Sequence, residues 1–217
     1  MPAPGPTNPA LRLTGVRKRL GGRDLWRVPV DLEVAPTEAV AVLGPNGSGK
    51  STLLRLAATV SRADHGTVTV ADCDARRDGE KARAQLGFLA QDAPLYADLS
   101  AREHFRWWAR LHGVRVDVDA LAVAAGLGPA ANHLCGTLSR GQRQRAALAV
   151  ATLHDPSLLV LDEPEAALDA SGQAFLQGIV EARRGRKATL LALHDEALAK
   201  RLADRVLRLG RDGLVPA

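Results

Sequence analysis

Gly44-Pro-Asn-Gly-Ser-Gly49-Lys50-Ser51 stands between a continuous apolar run, Ala39 to Leu43, and a segment of helical spacing, Ser51 to Thr59. It fits GxxxxGK[ST] at every fixed position, in the strand–loop–helix setting that the motif requires. Glycines let successive backbone N–H groups turn inward around phosphate oxygens, and the positive end of the following helix faces the same anion. Lys50 is expected to neutralise the β- and γ-phosphates, the Ser51 hydroxyl to ligate Mg²⁺, and Thr52 to donate to the α-phosphate. The stretch predicts a nucleoside triphosphate site made of Gly44, Pro45, Asn46, Gly47, Ser48, Gly49, Lys50, Ser51 and Thr52.

Working outward from this loop, residues 11 to 43 read as strands. Val28, Val30, Leu32 and Val34 alternate with polar or small residues, the period of a half-buried strand, whereas Ala39 to Leu43 suits a strand covered on both faces. Thr67 to Val70 and Gln85 to Ala90 are further strands. Ser100 with Glu103 is a capping box that opens a helix through about His112; Ser139 with Gln142 is another, ahead of an alanine-rich helix to about Leu153. Asp117 to Ala125 reads as a helix between them. The last third alternates: strand Leu158 to Leu161, helix Ser171 to Arg184, strand Thr189 to Leu193, helix Glu196 to Ala203, strand Val206 to Leu209. Such alternation implies an α/β fold with a mostly parallel sheet covered on both faces. The helical section, about residues 92 to 153, is an insertion into it.

The strand Leu158-Leu-Val-Leu161 ends in Asp162-Glu163-Pro164. In a parallel sheet, ligands lie beyond the C-terminal ends of the strands. Asp162 is then placed to hold Mg²⁺, directly or through water, and Glu163 to polarise the water that attacks the γ-phosphate. Alone, two acids after a strand are a common surface turn; beside a phosphate loop they form the minimum set for phosphoryl transfer to water.

With these motifs the sequence resembles a nucleotide-binding subunit of an ABC transporter, from about Leu11 to Gly213. The resemblance also covers Gln91 after a strand, the signature Leu138-Ser139-Arg140-Gly141-Gln142, the D-loop Ala167-Leu168-Asp169, and His194 after a strand. It implies a P-loop ATPase with an antiparallel β subdomain beside the parallel core, in one domain over residues 10–217; Met1 to Pro9, with four prolines and no apolar run, read as a loose tail. It implies ATP and Mg²⁺ as ligands, and a homodimer that closes head to tail around two ATP molecules. Glu163, His194, Gln91 and Lys50 are then catalytic, and Ser51, Gln91 and Asp162 hold the metal. Ser139, Arg140, Gly141 and Gln142 reach the γ-phosphate in trans, and Asp169 links the two sites. Taken singly, Gln91 and His194 would read as structural, and Ser139 with Gln142 as a helix cap, which is compatible with an anion site.

Three positions depart from the family pattern. Leu20 stands where an aromatic residue usually stacks on adenine, a contact worth about 1–3 kcal/mol for bases in nucleic-acid complexes, so weaker ATP binding is expected. Trp26 reads as a core residue rather than as a substitute. Arg140 and Thr37 replace glycines. None of these removes a catalytic group, and an active ATPase is expected.

Composition excludes several other classes. The 217 residues are 46% hydrophobic and 24% charged, ordinary for a folded protein. Cys73 and Cys135 are a lone, distant pair, so neither a disulfide framework nor a CxxC motif is present. The uncharged stretch Ala120 to Ser139 contains three glycines, a proline, Asn132 and His133, groups that hydrocarbon leaves unpartnered; it reads as a helix followed by a loop, and no span is expected. The net charge of +5 comes from arginine, there being only five lysines. It suits phosphate, an anionic cytoplasmic membrane face or a docked channel. About 90 residues separate Lys50 from Ser139, too few for the long coiled coils of DNA-repair and chromosome-organising relatives, and scattered arginines without interleaved aromatics argue against nucleic acid. The reading is therefore a peripheral ATPase on the cytoplasmic face of the cell membrane, driving a separate transmembrane permease that docks on the helical insertion. Tyr96, Phe105, Trp107 and Trp108 put four of the chain's seven aromatics there. They are either the insertion's core or a partner-facing patch, with Trp107 the better interface residue. Segments such as Tyr96-Ala-Asp-Leu-Ser-Ala-Arg-Glu-His-Phe and Leu153-His-Asp-Pro resemble the haem exporter ATPase of cytochrome c biogenesis, implying export; drug and lipid exporters are the alternative.

Overall fold

The computed structural model describes residues 8–92 and 95–217. The tail expected at 1–9 lies outside them except for Asn8 and Pro9, as do Ala93 and Pro94 ahead of Tyr96. In chain order the elements are β1 (Leu11–Arg17), β2 (Arg19–Leu20), β3 (Arg23–Asp24), β4 (Val30–Val34), β5 (Ala39–Leu43), α1 (Lys50–Ala57), β6 (His65–Val70), β7 (Cys73–Asp74), α2 (Gly79–Ala84) and β8 (Leu86–Leu89). Then come α3 (Ala101–Leu111), α4 (Val118–Ala124), α5 (Arg140–Thr152), β9 (Leu158–Asp162), α6 (Ala170–Arg183), β10 (Ala188–Ala192), α7 (Glu196–Leu202), β11 (Arg205–Gly210) and β12 (Gly213–Pro216).

The central sheet has the order β12-β11-β5-β10-β9-β8. All its pairings are parallel except that of edge strand β12. A second sheet, β4-β1-β6-β7, is antiparallel throughout. The α/β fold read from the sequence, with its antiparallel subdomain and helical insertion, is the observed one.

Strands β5, β9 and β10 are buried at every residue. Successive side chains of a strand point to opposite faces, and along β9 Leu158 and Val160 join one core while Leu159 and Leu161 join another. The first core lies between the two sheets and includes Leu11, Leu13, Trp26 and Leu54. The second packs Leu176 and Val180 of α6 against Leu191. Full burial of each such leucine or valine contributes about 1.5–3 kcal/mol. Register then fixes the site: Ala192 of β10 pairs with Val42 of β5 and with Asp162 of β9. The C-terminal ends of three strands are thus level, and the loops after them share one space.

In the insertion both capping boxes form. Ser100 caps α3 with Glu103, and Ser139 caps α5 with Gln142. Asp117 caps α4 by accepting from the N–H groups of Asp119 and Ala120. The uncharged stretch is α4 followed by two 3-10 turns, Gly128–Asn132 and Cys135–Thr137. Phe105 centres the third core.

One expectation needs correction. The strand read from Val28 begins only at Val30, and Val28 is 44% exposed; Pro29 has no N–H to give to a ladder. Of the aromatics left open between core and patch, Phe105 is buried, whereas Trp108 is half-buried and lines a groove.

Candidate active site

Gly49 is the N-cap of α1, with φ of +98°. A β-carbon there would stand 2.8 Å from Leu25 Cδ2 and 3.0 Å from Trp26 Nε1, so both conformation and space demand glycine. The first turn of α1 carries no acid, which leaves its N–H groups free for an outside anion. Lys50 is 5% exposed, and its ammonium donates to the Gly44 carbonyl at 2.8 Å, so the charge spans the mouth of the loop. Trp26 is a core residue, as expected, with a further task. Its indole N–H donates to the Ser48 carbonyl at 3.0 Å, bracing the loop from behind. Truncating it would cost about 3–5 kcal/mol in lost packing.

Loop residues Pro45, Asn46, Gly47 and Lys50 to Thr52 line a cleft of about 330 Å³ whose far wall carries Gln91 and Glu163. Leu20 and Leu25 line it too, and Leu20 is 51% exposed. The position that lacks an aromatic residue is therefore on the cleft wall. Leu20→Tyr is expected to tighten ATP binding roughly tenfold, within the about 1–3 kcal/mol of a base stack; titration with a fluorescent nucleotide measures it, and an unchanged Kd would remove Leu20 from the base-binding wall.

Asp162 is fully buried. Its Oδ1 accepts from the Ser51 hydroxyl at 3.1 Å, while Oδ2 is buried with no hydrogen-bond partner among the described residues. Burial pushes this carboxyl above the usual range and the Glu163 charge adds to that, while the Ser51 hydroxyl opposes it. A hydroxyl beside an orphaned carboxylate oxygen is a donor set that suits a hard divalent cation.

Glu163 has φ of +50°, an uncommon left-handed conformation for a non-glycine residue. Its N–H is held by the Ala192 carbonyl at 3.0 Å. One carboxylate oxygen accepts from the Gln91 amide at 2.7 Å and the other from His194 Nε2 at 2.6 Å. The structure thus joins residues that follow β8, β9 and β10 around a single carboxylate. Gln91 and His194 were expected at the metal and at the γ-phosphate; in this conformation both side chains are bonded to Glu163.

Ser139, Arg140, Gly141 and Gln142 do not line the cleft of their own chain. A β-carbon at Gly141 would come within 2.8 Å of the Ala167 carbonyl, so this glycine lets the start of α5 press against the D-loop. Asp169, expected to link two active sites, here caps α6 by accepting from the Gly172 N–H at 2.8 Å. It also accepts from Arg145 at 3.2 Å. The Gly172 N–H above all, with Ser171 and Arg145, holds its carboxyl below the usual range. Sequence reading passed over Arg145 and Glu165, whose partners lie 24 and 29 residues away with no local signal.

A family model described as ABC transporter matches residues 28–166. The aliphatic sulfonates import ATP-binding protein SsuB of Cupriavidus necator is 39% identical over 217 residues, covering 95% of this chain and 67% of its own. The macrolide export ATP-binding/permease protein MacB 1 of Aeromonas hydrophila is 35% identical, covering 96% of this chain and 34% of its own. The dimeric post-hydrolysis structure of the ATP-binding cassette MJ0796 bound to ADP and Pi superposes with a TM-score of 0.83 at 26% identity, covering 94% of this chain and 96% of that one. No helix among the described residues is long and apolar enough to cross a membrane. The chain belongs to the ABC transporter family, as the ATP-binding subunit, an ATPase.

Proposed function

We propose that residues 10–217 form one ATPase domain that hydrolyses ATP to drive a separate transmembrane permease, with the helical insertion at about 92–153 as the docking part. The observation that carries the hydrolytic half is the meeting of Gln91, Glu163 and His194 opposite the phosphate loop. Lys50, Ser51 and Thr52 bind the triphosphate; Glu163 accepts a proton from the attacking water; His194 and Gln91 orient that water and the γ-phosphate. Ser51, Asp162 and Gln91 would hold Mg²⁺, which would supply charge neutralisation for the phosphates. A second copy supplies Ser139 to Gln142 in trans, and Asp169 runs between the sites.

The docking half is supported by a groove of about 560 Å³ walled by Trp108, Leu111 and His112 on one side and Ala147, Val150 and Ala151 on the other. Leu111 is 61% exposed and Trp107, beside the groove, 42%. His112 and His154 stack with ring centroids 3.7 Å apart. Burial, then the charge of His112, pushes His154 down to about 4, and burial lowers His112 as well. Both rings are neutral at neutral pH, and apart from Glu80 and Arg83 at its lining the groove offers a mostly apolar surface to an apolar helix. The subunit then works at the cytoplasmic face of the cell membrane.

Export, with haem for cytochrome c assembly as cargo, is the finer reading. It rests on the resemblance of segments such as Tyr96 to Phe105, Leu138 to Gly141 and Leu153 to Pro156; the two relatives reported above are named for sulfonate import and macrolide export. The test purifies the Glu163→Gln complex with ATP from native membranes and identifies its membrane chains and any trapped small molecule. Leu111→Asp and Trp107→Ala are expected to reduce co-purification of the membrane chain about tenfold, as buried interface anchors do. Undiminished recovery with both would overturn the docking surface, and a trapped molecule other than haem the finer reading.

A further inference from the structure

The turn after β9 is tied to the loop after β10 at two places besides the His194 contact. The Glu163 N–H donates to the Ala192 carbonyl at 3.0 Å. Two residues on, a carboxylate oxygen of Glu165 accepts from the backbone N–H of His194 at 3.0 Å. The other Glu165 oxygen is buried without a partner among the described residues, so the carboxyl is turned inward rather than to solvent. The Ala166 N–H closes the turn onto the Glu163 carbonyl at 3.1 Å, and the Leu168 N–H onto the Glu165 carbonyl at 3.2 Å. Burial raises this carboxyl, opposed by its own N–H and that of His194.

We propose that Glu165 is a positioning residue of the hydrolytic site, fixing the His194 backbone so that its imidazole meets Glu163. The His194 side chain is 45% exposed, and among the described residues its only polar side-chain contact is with Glu163. Little else orients the ring, and a loop free to shift by about 1 Å forfeits catalytic alignment at a cost of tenfold to a hundredfold. The Glu165 carboxylate removes that freedom by an anchor on the main chain, the one part of residue 194 whose place decides where the ring points. It touches no reacting atom, so its effect passes through His194.

This inference rests on the hydrolytic reading above, and five variants separate the two. Glu165→Ala and Glu165→Met, the latter keeping length without an acceptor, are expected to lower kcat for ATP hydrolysis about tenfold while KM changes by less than about twofold. Glu165→Gln retains most activity, because its amide oxygen accepts the same N–H. In a His194→Ala background Glu165→Met has less than about a twofold further effect, since residues acting through one contact are not additive. Unchanged kcat in both Glu165→Ala and Glu165→Met, failure of Glu165→Gln to rescue, or full additivity with His194→Ala would each overturn the proposal. Full activity of His194→Ala alone would instead overturn the assignment of His194.

Discussion

Replacing Glu163 by Gln is expected to slow ATP hydrolysis by at least a hundredfold while ATP still binds with a Kd within a few-fold of the parent. General base assistance contributes about 10²–10⁴ in rate, and Glu163 is the carboxylate that faces the phosphate loop across the cleft. Asp162 cannot take over, because it is fully buried and turned to Ser51. The amide introduced by Glu163→Gln would still accept from Gln91 through its oxygen, so the architecture around it persists. What disappears is the carboxylate proposed to receive the proton, and with it the oxygen that meets His194. Binding survives because the loop, the start of α1 and Lys50 do not depend on Glu163. Steady-state phosphate release gives kcat, and nucleotide titration gives Kd. Turnover at the parent rate would sink the role assigned to Glu163, whereas loss of ATP binding would mean that this carboxylate supports the loop itself. Lys50→Ala serves as the opposite control, losing binding first.

Much of this site was legible in the chain because its chemistry is local. Continuous apolar runs identify β5 and β9 as buried strands, and the residues that follow each run carry the phosphate loop and the two acids. Both capping boxes could be read at three-residue spacing. The register of β9 against β10 could not. It sets Ala192 beside Asp162, and hence Glu163 and Glu165 beside His194, through pairings 29 to 31 residues apart that leave no periodic trace. The two-residue strands β2, β3 and β7 and the six-residue α2 are too short to generate a pattern. Trp26 could be read as buried, but not as the donor that braces Ser48. The arginine excess was assigned to phosphate, membrane or partner; part of it is structural. Arg183 and Arg145 are 6% and 7% exposed. Arg183 donates to the carbonyls of Pro156 and Ala188, and Arg145 to those of Ala125 and Gly126. Carbonyl groups at the ends of helices and strands, three of these four 19 to 27 residues away, are invisible partners until the fold is known.

Mixing two inactive variants is expected to restore ATP hydrolysis that neither has alone. Lys50→Ala removes the charge that spans the phosphate loop, and Ser139→Arg fills the helix start that would face ATP from the other subunit. Ser139 is exposed, so the larger side chain fits without disturbing a core, and the lost cap costs only about 1 kcal/mol. If each site were complete within one chain, neither variant would contain a functional site and mixing would restore nothing. If a two-fold dimer instead pairs each loop with the partner's signature, a mixed dimer holds one doubly damaged site and one intact site. Random pairing makes about half of the dimers mixed, each with one of two sites working. The mixture is then expected to reach roughly a quarter of the parent rate if one site turns over independently, against a hundredfold loss or more for each variant alone. The geometry favours this outcome, because Ser139 to Gln142 do not line their own chain's cleft and Gly141 presses α5 against Ala167 instead. Rates that stay at the sum of the two variants, at protein concentrations where dimers are demonstrated, would mean that no site is shared between two chains and would overturn the role in trans.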